Sequence, residues 1–365
     1  MKNLNFDITN QIKSQKKKSK KLNSDEKKII FSSIFFLTLA IIFIIIYLTK
    51  LNNTPPKKEE NPKFVPQETL KIVDINSNKR PLAVMIDNNI GDERHAGLQN
   101  SFVNYEIIVE GGLSRIMAIY KDEENTLIGP VRSSRHYFLD YALEYDAIYT
   151  HFGWSPKAEE DIKNLNVENI NGMIDSTPFA RDKNIPAPHN VFTAATKLRE
   201  YFDAKGYSQT TNSWKVLNYS TKEINLNKKT KNTENLLVAN KVTMTYSYNQ
   251  TRSYIYDDNN KNYLRFMNGK EHIDRDTNNQ LNYKNIIIMR VENNSMDSED
   301  RQDLKTVGEG TGYYMTNGYA LPINWTKESR TSKTKYRYED GTEVKINDGN
   351  TFIQIVPISN DIVFE

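Results

Sequence analysis

Residues able to do chemistry concentrate between Glu110 and Pro156 of this 365-residue chain. Three motifs occur there: E-G-G-L-S-R from Glu110, I-G-P-V-R-S-S-R-H from Ile128 and H-F-G-W-S-P from His151. They hold one carboxylate, three arginines, two histidines and a tryptophan. All lie near glycines, a proline or a predicted helix start, where side chains tend to face a cleft rather than a core. This stretch is therefore the candidate site.

The segment Arg132-Ser133-Ser134-Arg135 has the chemistry of an anion site. Two serines at a helix start combine free backbone N–H groups with hydroxyl donors, and the flanking guanidinium groups bind phosphate or carboxylate in a bidentate manner. Arg115, beside a Gly-Gly turn, can join them. The alternative is that one serine caps the helix while the arginines pair with acidic residues of the same module.

The carboxylates invite a comparison with glycosidases. Glu106 and Glu110 fall on one face of a predicted strand, but four residues at ~3.3 Å each place them ~13 Å apart. Glycosidase pairs lie ~5.5 Å or ~6.5–9.5 Å apart, so this pair fails on distance. Glu110 alone stays a candidate general acid with Asp87 or Asp175 as its partner. The alternative is an ion pair between Glu110 and a neighbouring arginine.

The histidines and Trp154 complete the candidate set. His189, in the rigid loop after Ala187-Pro188, is a candidate hydrogen-bonding or acid–base residue, with Asn190 beside it as a ligand-binding candidate. His151 joins the binding set, and Trp154 either stacks on a sugar or fills the core. Neither H-x-H nor H-E-x-x-H spacing occurs, so we expect no metal site and no cofactor. G-W-S-P-K lacks the last glycine of a nucleophile elbow, which argues against a serine hydrolase.

Residues 29–48 form an uncharged apolar segment long enough, at 1.5 Å per residue, to cross a hydrocarbon core. Residues 1–28 carry nine lysines against three acidic residues, a net charge of +6, so this tail is expected in the cytoplasm and the chain from about Lys50 outside. A cleaved signal peptide is the alternative, but no small-x-small site follows. The chain carries +3 in all, so the residues after Lys28 carry −3, and we expect no nucleic-acid partner for the outer part.

The chain contains no cysteine. Disulfides, thiolate nucleophiles, cysteine zinc sites and a lipidated cysteine are therefore excluded.

We predict an α+β fold: a mixed α/β module followed by an antiparallel β module, preceded by one transmembrane helix. The proline-rich residues 49–71 form a stalk, 72–208 the first module, 209–240 a polar linker and 241–365 the second module. The first module should hold strands at 82–86, 103–109, 116–120 and 147–151. Its helices should follow Ser134, begin at Ser155 as N-cap with Pro156 next, and run from Thr193 to before Gly206.

The second module reads as strands only. Val242, Met244, Tyr246 and Tyr248 alternate with polar residues as in a half-buried strand, and similar runs recur up to 351–356. Asn317-Gly318 and Asp340-Gly341 predict hairpin turns. The glycines of the 308–312 segment should serve bulges or tight turns, because no helix follows to complete a nucleotide site.

Several segments together resemble the YerB family of bacterial cell-surface proteins. They are R-P-L-A-V-M-I-D-N from Arg80, the three motifs above, A-P-H-N-V-F-T from Ala187, G-E-G-T-G from Gly308, N-W-T-K from Asn324 and D-G-N-T-F-I-Q-I-V-P from Asp348. One departure is R-H-A-G-L from Arg94, where the family has Arg-Pro-Gln-x-Gly-Leu. Many members resemble lipoproteins, so a helix here takes the place of the lipid. The resemblance implies a location but transfers no catalytic residue.

From the sequence we expect a single-pass, outward-facing envelope protein. Its first module should form a polar cleft for an anionic or glycan ligand of the cell wall, with the membrane as partner through residues 29–48. One alternative is an enzyme acting on that polymer, with Glu110 as acid and Arg132, Arg135 or His189 in support. Another is a scaffold that binds an envelope protein through the β module.

Overall fold

The structure is a computed structural model that describes residues 23–52, 69–88, 94–123, 126–228 and 233–365. The chain divides into two compact units, Met1–Pro66 and Gln67–Glu365. The predicted tail up to residue 22 and the predicted stalk between 53 and 68 lie outside the described residues.

The described residues of the first unit form helix α1, Ser24–Asn52. Asn23 and Glu26 cap its start reciprocally: Asn23 Oδ1 accepts from the Glu26 backbone N–H, and Glu26 Oε2 accepts from that of Asn23. The span from Ser24 to Lys50 is long and apolar enough to cross a membrane.

The second unit begins as mixed α and β structure. Its helices are α2, His136–Glu144; α3, Pro156–Asn164; and α4, Ala195–Ala204. Its first strands are β1, Leu82–Asp87; β2, Val103–Ile108; β3, Ser114–Tyr120; β4, Leu127–Ile128; β5, Ile148–His151; β6, Asn169–Asn171; β7, Phe179–Arg181; β8, Val191–Ala194; and β9, Tyr219–Ser220.

Beyond residue 236 the described chain forms strands joined by turns. They are β10, Leu237–Val238; β11, Lys241–Ser247; β12, Gln250–Asp257; β13, Asn262–Met267; β14, Lys270–Glu271; β15, Ile273–Asp274; β16, Asn279–Gln280; β17, Asn282–Tyr283; β18, Asn285–Val291; β19, Asn293–Ser295; β20, Gln302–Leu304; β21, Gly308–Thr316; β22, Tyr319–Lys327; β23, Lys335–Tyr338; β24, Ile346–Asn347; β25, Thr351–Pro357; and β26, Ile362–Phe364. The predicted α+β class is confirmed.

One sheet runs through both predicted modules, in the order β10-β22-β21-β18-β25-β2-β3-β1-β5-β6, with β23 beside β22. Strand β25, near the end of the chain, lies between β18 and β2 and is parallel to both. Strands β1, β2, β5, β6, β18 and β25 all run in the same direction, whereas β3 runs against its neighbours. The predicted boundaries at 208 and 241 stay a prediction.

A second sheet, β14-β13-β12-β11-β26 with β17 beside β13, packs on the shared core. The alternation predicted for β11 is confirmed for Val242, Met244 and Tyr246, which are buried, but is wrong for Tyr248, which lies in the turn after the strand and is exposed. The hairpin predicted at Asn317-Gly318 joins β21 to β22, and both residues have the positive φ that a type I′ turn needs.

The predicted start of α3 is confirmed, whereas the predicted role of the glycines in β21 is wrong. Ser155 caps α3 by accepting from the Ala158 N–H, with Pro156 next, as predicted. For β21, the expected bulge or turn is wrong, since the pairing with β22 is continuous from Gly308 to Thr316. Gly310 instead lies against the Trp325 ring, and Gly312 lets β21 approach the Ile288 carbonyl.

Candidate functional site

The candidate residues meet at one edge of the large sheet. Asp87 is the last residue of β1, Glu110 follows β2 by two residues, and His151 ends β5. Arg115 lies near the start of β3, which runs the opposite way and so begins at the same edge. Ligands of open sheets with parallel strands commonly bind beyond the carboxyl ends of those strands.

Glu110 lies between two guanidinium groups. Arg135 Nε donates to Glu110 Oε2 at 2.8 Å, Arg115 Nη2 donates to Oε1 at 3.0 Å, and Arg135 Nη2 also contacts Oε1. Burial raises the pKa of Glu110, but the Arg135 hydrogen bond and the charges of Arg115 and Arg135 outweigh it and hold the pKa at about 2. A general acid needs a raised pKa, so this role would require both ion pairs to break.

The second carboxylate, Asp87, is almost fully buried and contacts two partly exposed side chains, those of Arg132 and His189. His189 Nδ1 lies 2.5 Å from Asp87 Oδ2, and Arg132 Nε lies 3.0 Å from the same oxygen without hydrogen-bond alignment. The side chains of Arg132 and His189 are each 21% exposed. Among the described residues, neither terminal nitrogen of Arg132 has a hydrogen-bond partner.

These contacts define the arginine–carboxylate cluster: Asp87, Glu110, Arg115, Arg132 and Arg135. Burial, and then the charge of Arg135, lower the pKa of Arg115 to about 10; Glu110 raises it and Arg132 lowers it further. The three guanidinium groups therefore lie close enough to repel one another. Three positive charges face two negative ones, which leaves one positive charge in excess.

Neither Ser133 nor Ser134 caps helix α2. Arg135, not a serine, is the N-cap of α2, and it makes no side-chain capping bond. Ser134 is fully buried, and its hydroxyl accepts from the Tyr149 hydroxyl at 2.7 Å. Ser133 donates to the Phe152 carbonyl at 3.1 Å. Both hydroxyls thus hold the loop in place.

The remaining predicted residues make their hydrogen bonds and ring contacts outside the cluster. His151 is buried, with Nδ1 2.8 Å from the Gly153 carbonyl and Nε2 3.0 Å from Asn169 Oδ1, and burial lowers its pKa to about 4. Trp154 is half-buried, with its ring centroid 5.6 Å from that of His151. Asn190 is buried and accepts from Arg181 Nη1 at 2.7 Å.

Asp175, predicted as a possible partner of Glu110, is engaged elsewhere. The Thr177 hydroxyl donates to Oδ1 at 2.6 Å and the Tyr201 hydroxyl to Oδ2 at 2.8 Å. The bonds from Thr177, and then that from Tyr201, lower the pKa of Asp175 to about 2.

A buried ionic network behind the cluster was missed by the sequence reasoning. Glu106 is fully buried and accepts from Arg252 Nε and Arg265 Nη2, each at 2.6 Å. Ser114, Asn88 and Gln354 also donate to it. Burial raises the pKa of Glu106, but the two arginines lower it to about 2. The available signal was two arginines at inward positions of alternating strands, where apolar residues are expected.

Both parts of the second unit match known family domains. The family described as "Protein of unknown function (DUF3048) N-terminal domain" matches residues 69–208, and the corresponding C-terminal domain matches residues 242–353. Together these matches span more than half of the chain. YerB of Bacillus subtilis (strain 168), named as a candidate lipoprotein, is 28% identical over 285 residues, or 77% of this chain and 82% of the relative. The chain belongs to the YerB family.

The chain has the same fold as the crystal structure of YerB from Bacillus subtilis. It aligns with a TM-score of 0.69 at 25% identity, over 81% of this chain and 99% of the other. The resemblance read from the motifs is thus confirmed. The lipoprotein relative and the apolar helix α1 both point to association with the membrane or cell surface.

Proposed function

We propose that this protein is anchored by α1 with its outer unit outside the cell, where the arginine–carboxylate cluster binds an anionic cell-wall ligand. The observation that carries the proposal is the unbalanced positive charge, together with the terminal nitrogens of Arg132 that have no partner among the described residues. A phosphodiester-bearing glycan or polyol polymer is the class of ligand that fits.

Arginine suits this role better than lysine would. Its planar fork matches two oxygens of a phosphate or carboxylate, and charge-assisted bonds of this kind are about twice as strong as neutral ones. Arg115 and Arg135 already donate hydrogen bonds to Glu110, so they attract the ligand by their charge. Arg132 contacts the ligand directly.

The first described residues of the outer unit and the cluster lie at opposite edges of the large sheet. The backbone N–H groups of Lys71 and Ile72 donate to the Asp348 carboxylate at 2.8 and 3.0 Å. Asp348 lies three residues before β25 begins, at the amino edge of the parallel strands. The cluster lies at the carboxyl edge of the same strands, opposite Lys71 and Ile72.

The proposed topology rests on charge and on the helix. The basic tail favours a cytoplasmic N-terminus, and the apolar span of α1 is long enough to cross. Binding is proposed rather than cleavage because Glu110 is held ionised by its two ion pairs.

Full-length protein in detergent, mixed with purified cell walls, tests the proposal. One sample keeps its phosphodiester polymers and a matched sample has them removed by acid. The protein should sediment with the intact walls, in a manner weakened by salt, and stay in solution with the stripped walls. Equal sedimentation with both samples would contradict an anionic ligand. Release of soluble wall fragments would favour the enzyme.

A further inference from the structure

A line of buried side chains connects the C-terminal part of the outer unit to the arginine–carboxylate cluster. Arg265 Nε lies 3.0 Å from His272 Nδ1, and His272 Nε2 lies 2.9 Å from His95 Nδ1. His95 Nε2 contacts the backbone carbonyl of Asp87. Arg265, His272 and His95 are fully buried.

The chemistry of arginine fixes every proton in this line. A guanidinium only donates, so His272 Nδ1 must accept and its proton must lie on Nε2. His272 Nε2 then donates to His95 Nδ1, which places the His95 proton on Nε2, facing an oxygen that only accepts. Both imidazoles are therefore neutral Nε2–H tautomers, and all three bonds point from Arg265 toward Asp87.

Asp87 is held from several sides at the end of this line. Its backbone N–H donates to the Pro130 carbonyl at 2.8 Å, and its own carbonyl accepts from His95. With the backbone fixed in this way, the carboxylate meets Arg132 and His189.

A second route joins the same two regions. Arg265 Nη2 and Arg252 Nε bind Glu106, whose Oε1 also accepts from Asn88 Nδ2 at 2.7 Å. Asn88 follows Asp87 directly, so both residues at the end of β1 are linked to β12 and β13, Asp87 through the two histidines and Asn88 through Glu106.

We infer that His95 and His272 are positioning residues for the arginine–carboxylate cluster. Through them the C-terminal part of the unit sets the orientation of Asp87, and with it that of the Arg132 guanidinium that meets the ligand. This inference rests on the proposed function. It predicts that anion affinity depends on a residue that makes no contact with the anion.

Affinity for inorganic polyphosphate, measured with full-length protein in detergent, tests the coupling. His272→Phe breaks both bonds of the line and should weaken binding by about tenfold, the equivalent of one lost hydrogen bond. His272→Gln keeps one acceptor and one donor, so affinity should stay within about twofold. His136→Gln, outside the line, is the matched control. Wild-type affinity in a folded His272→Phe variant would overturn the coupling.

The tautomers provide a test that needs no ligand. The chain has five histidines, so nitrogen-15 labelling of histidine alone gives a spectrum that single substitutions can assign. His95 and His272 should both show the neutral Nε2–H pattern, and should keep it if the protein proves not to bind polyphosphate. An Nδ1–H tautomer at either ring would overturn the line itself, whether or not His272→Phe folds.

Discussion

At the residue scale, Glu110 competes with any anion for two guanidinium groups. Replacing it by Gln removes the competing charge, so we expect polyphosphate affinity to rise severalfold. The same change loses charge-assisted bonds and should lower the free energy of unfolding by about 1–3 kcal/mol. Titration and thermal unfolding measure the two effects, with Glu159→Gln, on the exposed face of α3, as the control. Reduced affinity in a folded Glu110→Gln variant would contradict this competition and indicate that Glu110 orients the two arginines for the ligand.

The buried histidines predict a loss of stability in mild acid. Burial lowers the pKa of His95 despite Asp87, and burial, His95, Arg265 and Arg252 place the pKa of His272 well below its usual value. Unfolded histidine titrates near 6.5, so this stability is complete above about pH 6.5 and declines as the pH falls below it. Glu106 and Glu110 have a folded pKa of about 2, so their contribution is lost only below about pH 4.5.

Thermal unfolding measured between about pH 4.5 and 7.5 distinguishes the contribution of the buried histidines to stability from that of the two glutamates. Wild type should lose stability steadily below about pH 6.5, with a slope of up to about 1.4 kcal/mol per pH unit for each proton bound on unfolding. His272→Gln should show a shallower slope. An equal slope in both proteins would contradict the assignment of this acid sensitivity to His272.

Most residues of the cluster could be predicted from the sequence, because they lie in short motifs that mark loops at one sheet edge. Their partners were harder to predict. Glu106 binds Arg252 and Arg265, which are 146 and 159 residues away in the sequence. A local sequence pattern cannot predict a contact between residues so far apart in the chain. Asp87 was considered only as a partner of Glu110, whereas it holds Arg132 and His189.

At the element scale, the close approach of β18 and β21 depends on Gly312. An added Cβ would lie 1.9 Å from the Ile288 carbonyl oxygen, a backbone atom that cannot move aside alone. Gly312→Ala should therefore destabilise the protein by more than the ~1–3 kcal/mol of ordinary overpacking. Gly341→Ala is the control: its φ is +81° but the space is open, so only the ~1–2 kcal/mol of a left-handed alanine is expected. Similar melting temperatures for the two variants would contradict the close approach.

The strands were predictable where alternation or β-branched runs marked them, as in β1, β11 and β25. Ser155 and Pro156 were a sufficient signal for the start of α3. The start of α2 was misread because Ser134 is a good cap by type, yet packing turns its hydroxyl toward Tyr149. Tertiary contacts thus outweighed the local preference.

At the scale of the whole molecule, β25 connects the two predicted modules. It pairs with β2 on one side and β18 on the other, so a chain ending at Asn350 should leave both parts of the large sheet with unpaired strands. We expect this truncated protein to lose cooperative thermal unfolding, measured by circular dichroism. A sharp transition in a fragment of residues 67–240 would contradict the shared sheet as a folding requirement.

The sequence predicted the strands of both modules, but it did not predict that they form one continuous sheet. Periodicity assigns a segment to a strand and to a face, whereas the neighbour of that strand is set by packing over the whole chain. Gln354 pairs with Glu106 across 248 residues, which explains why two separate modules were expected.

The most direct test of ligand binding is the affinity of full-length protein for inorganic polyphosphate, compared between wild type and Arg132→Ala. Arg132→Ala should weaken binding by ~10–100-fold, the loss expected for one charge-assisted contact of ~1.5–3 kcal/mol. Its melting temperature should stay near that of wild type, because the Asp87 carboxylate still contacts the His189 ring. Arg337→Ala, which removes the same charge from exposed β23, should bind like wild type. Equal affinity in wild type and Arg132→Ala would contradict the cluster as the ligand site.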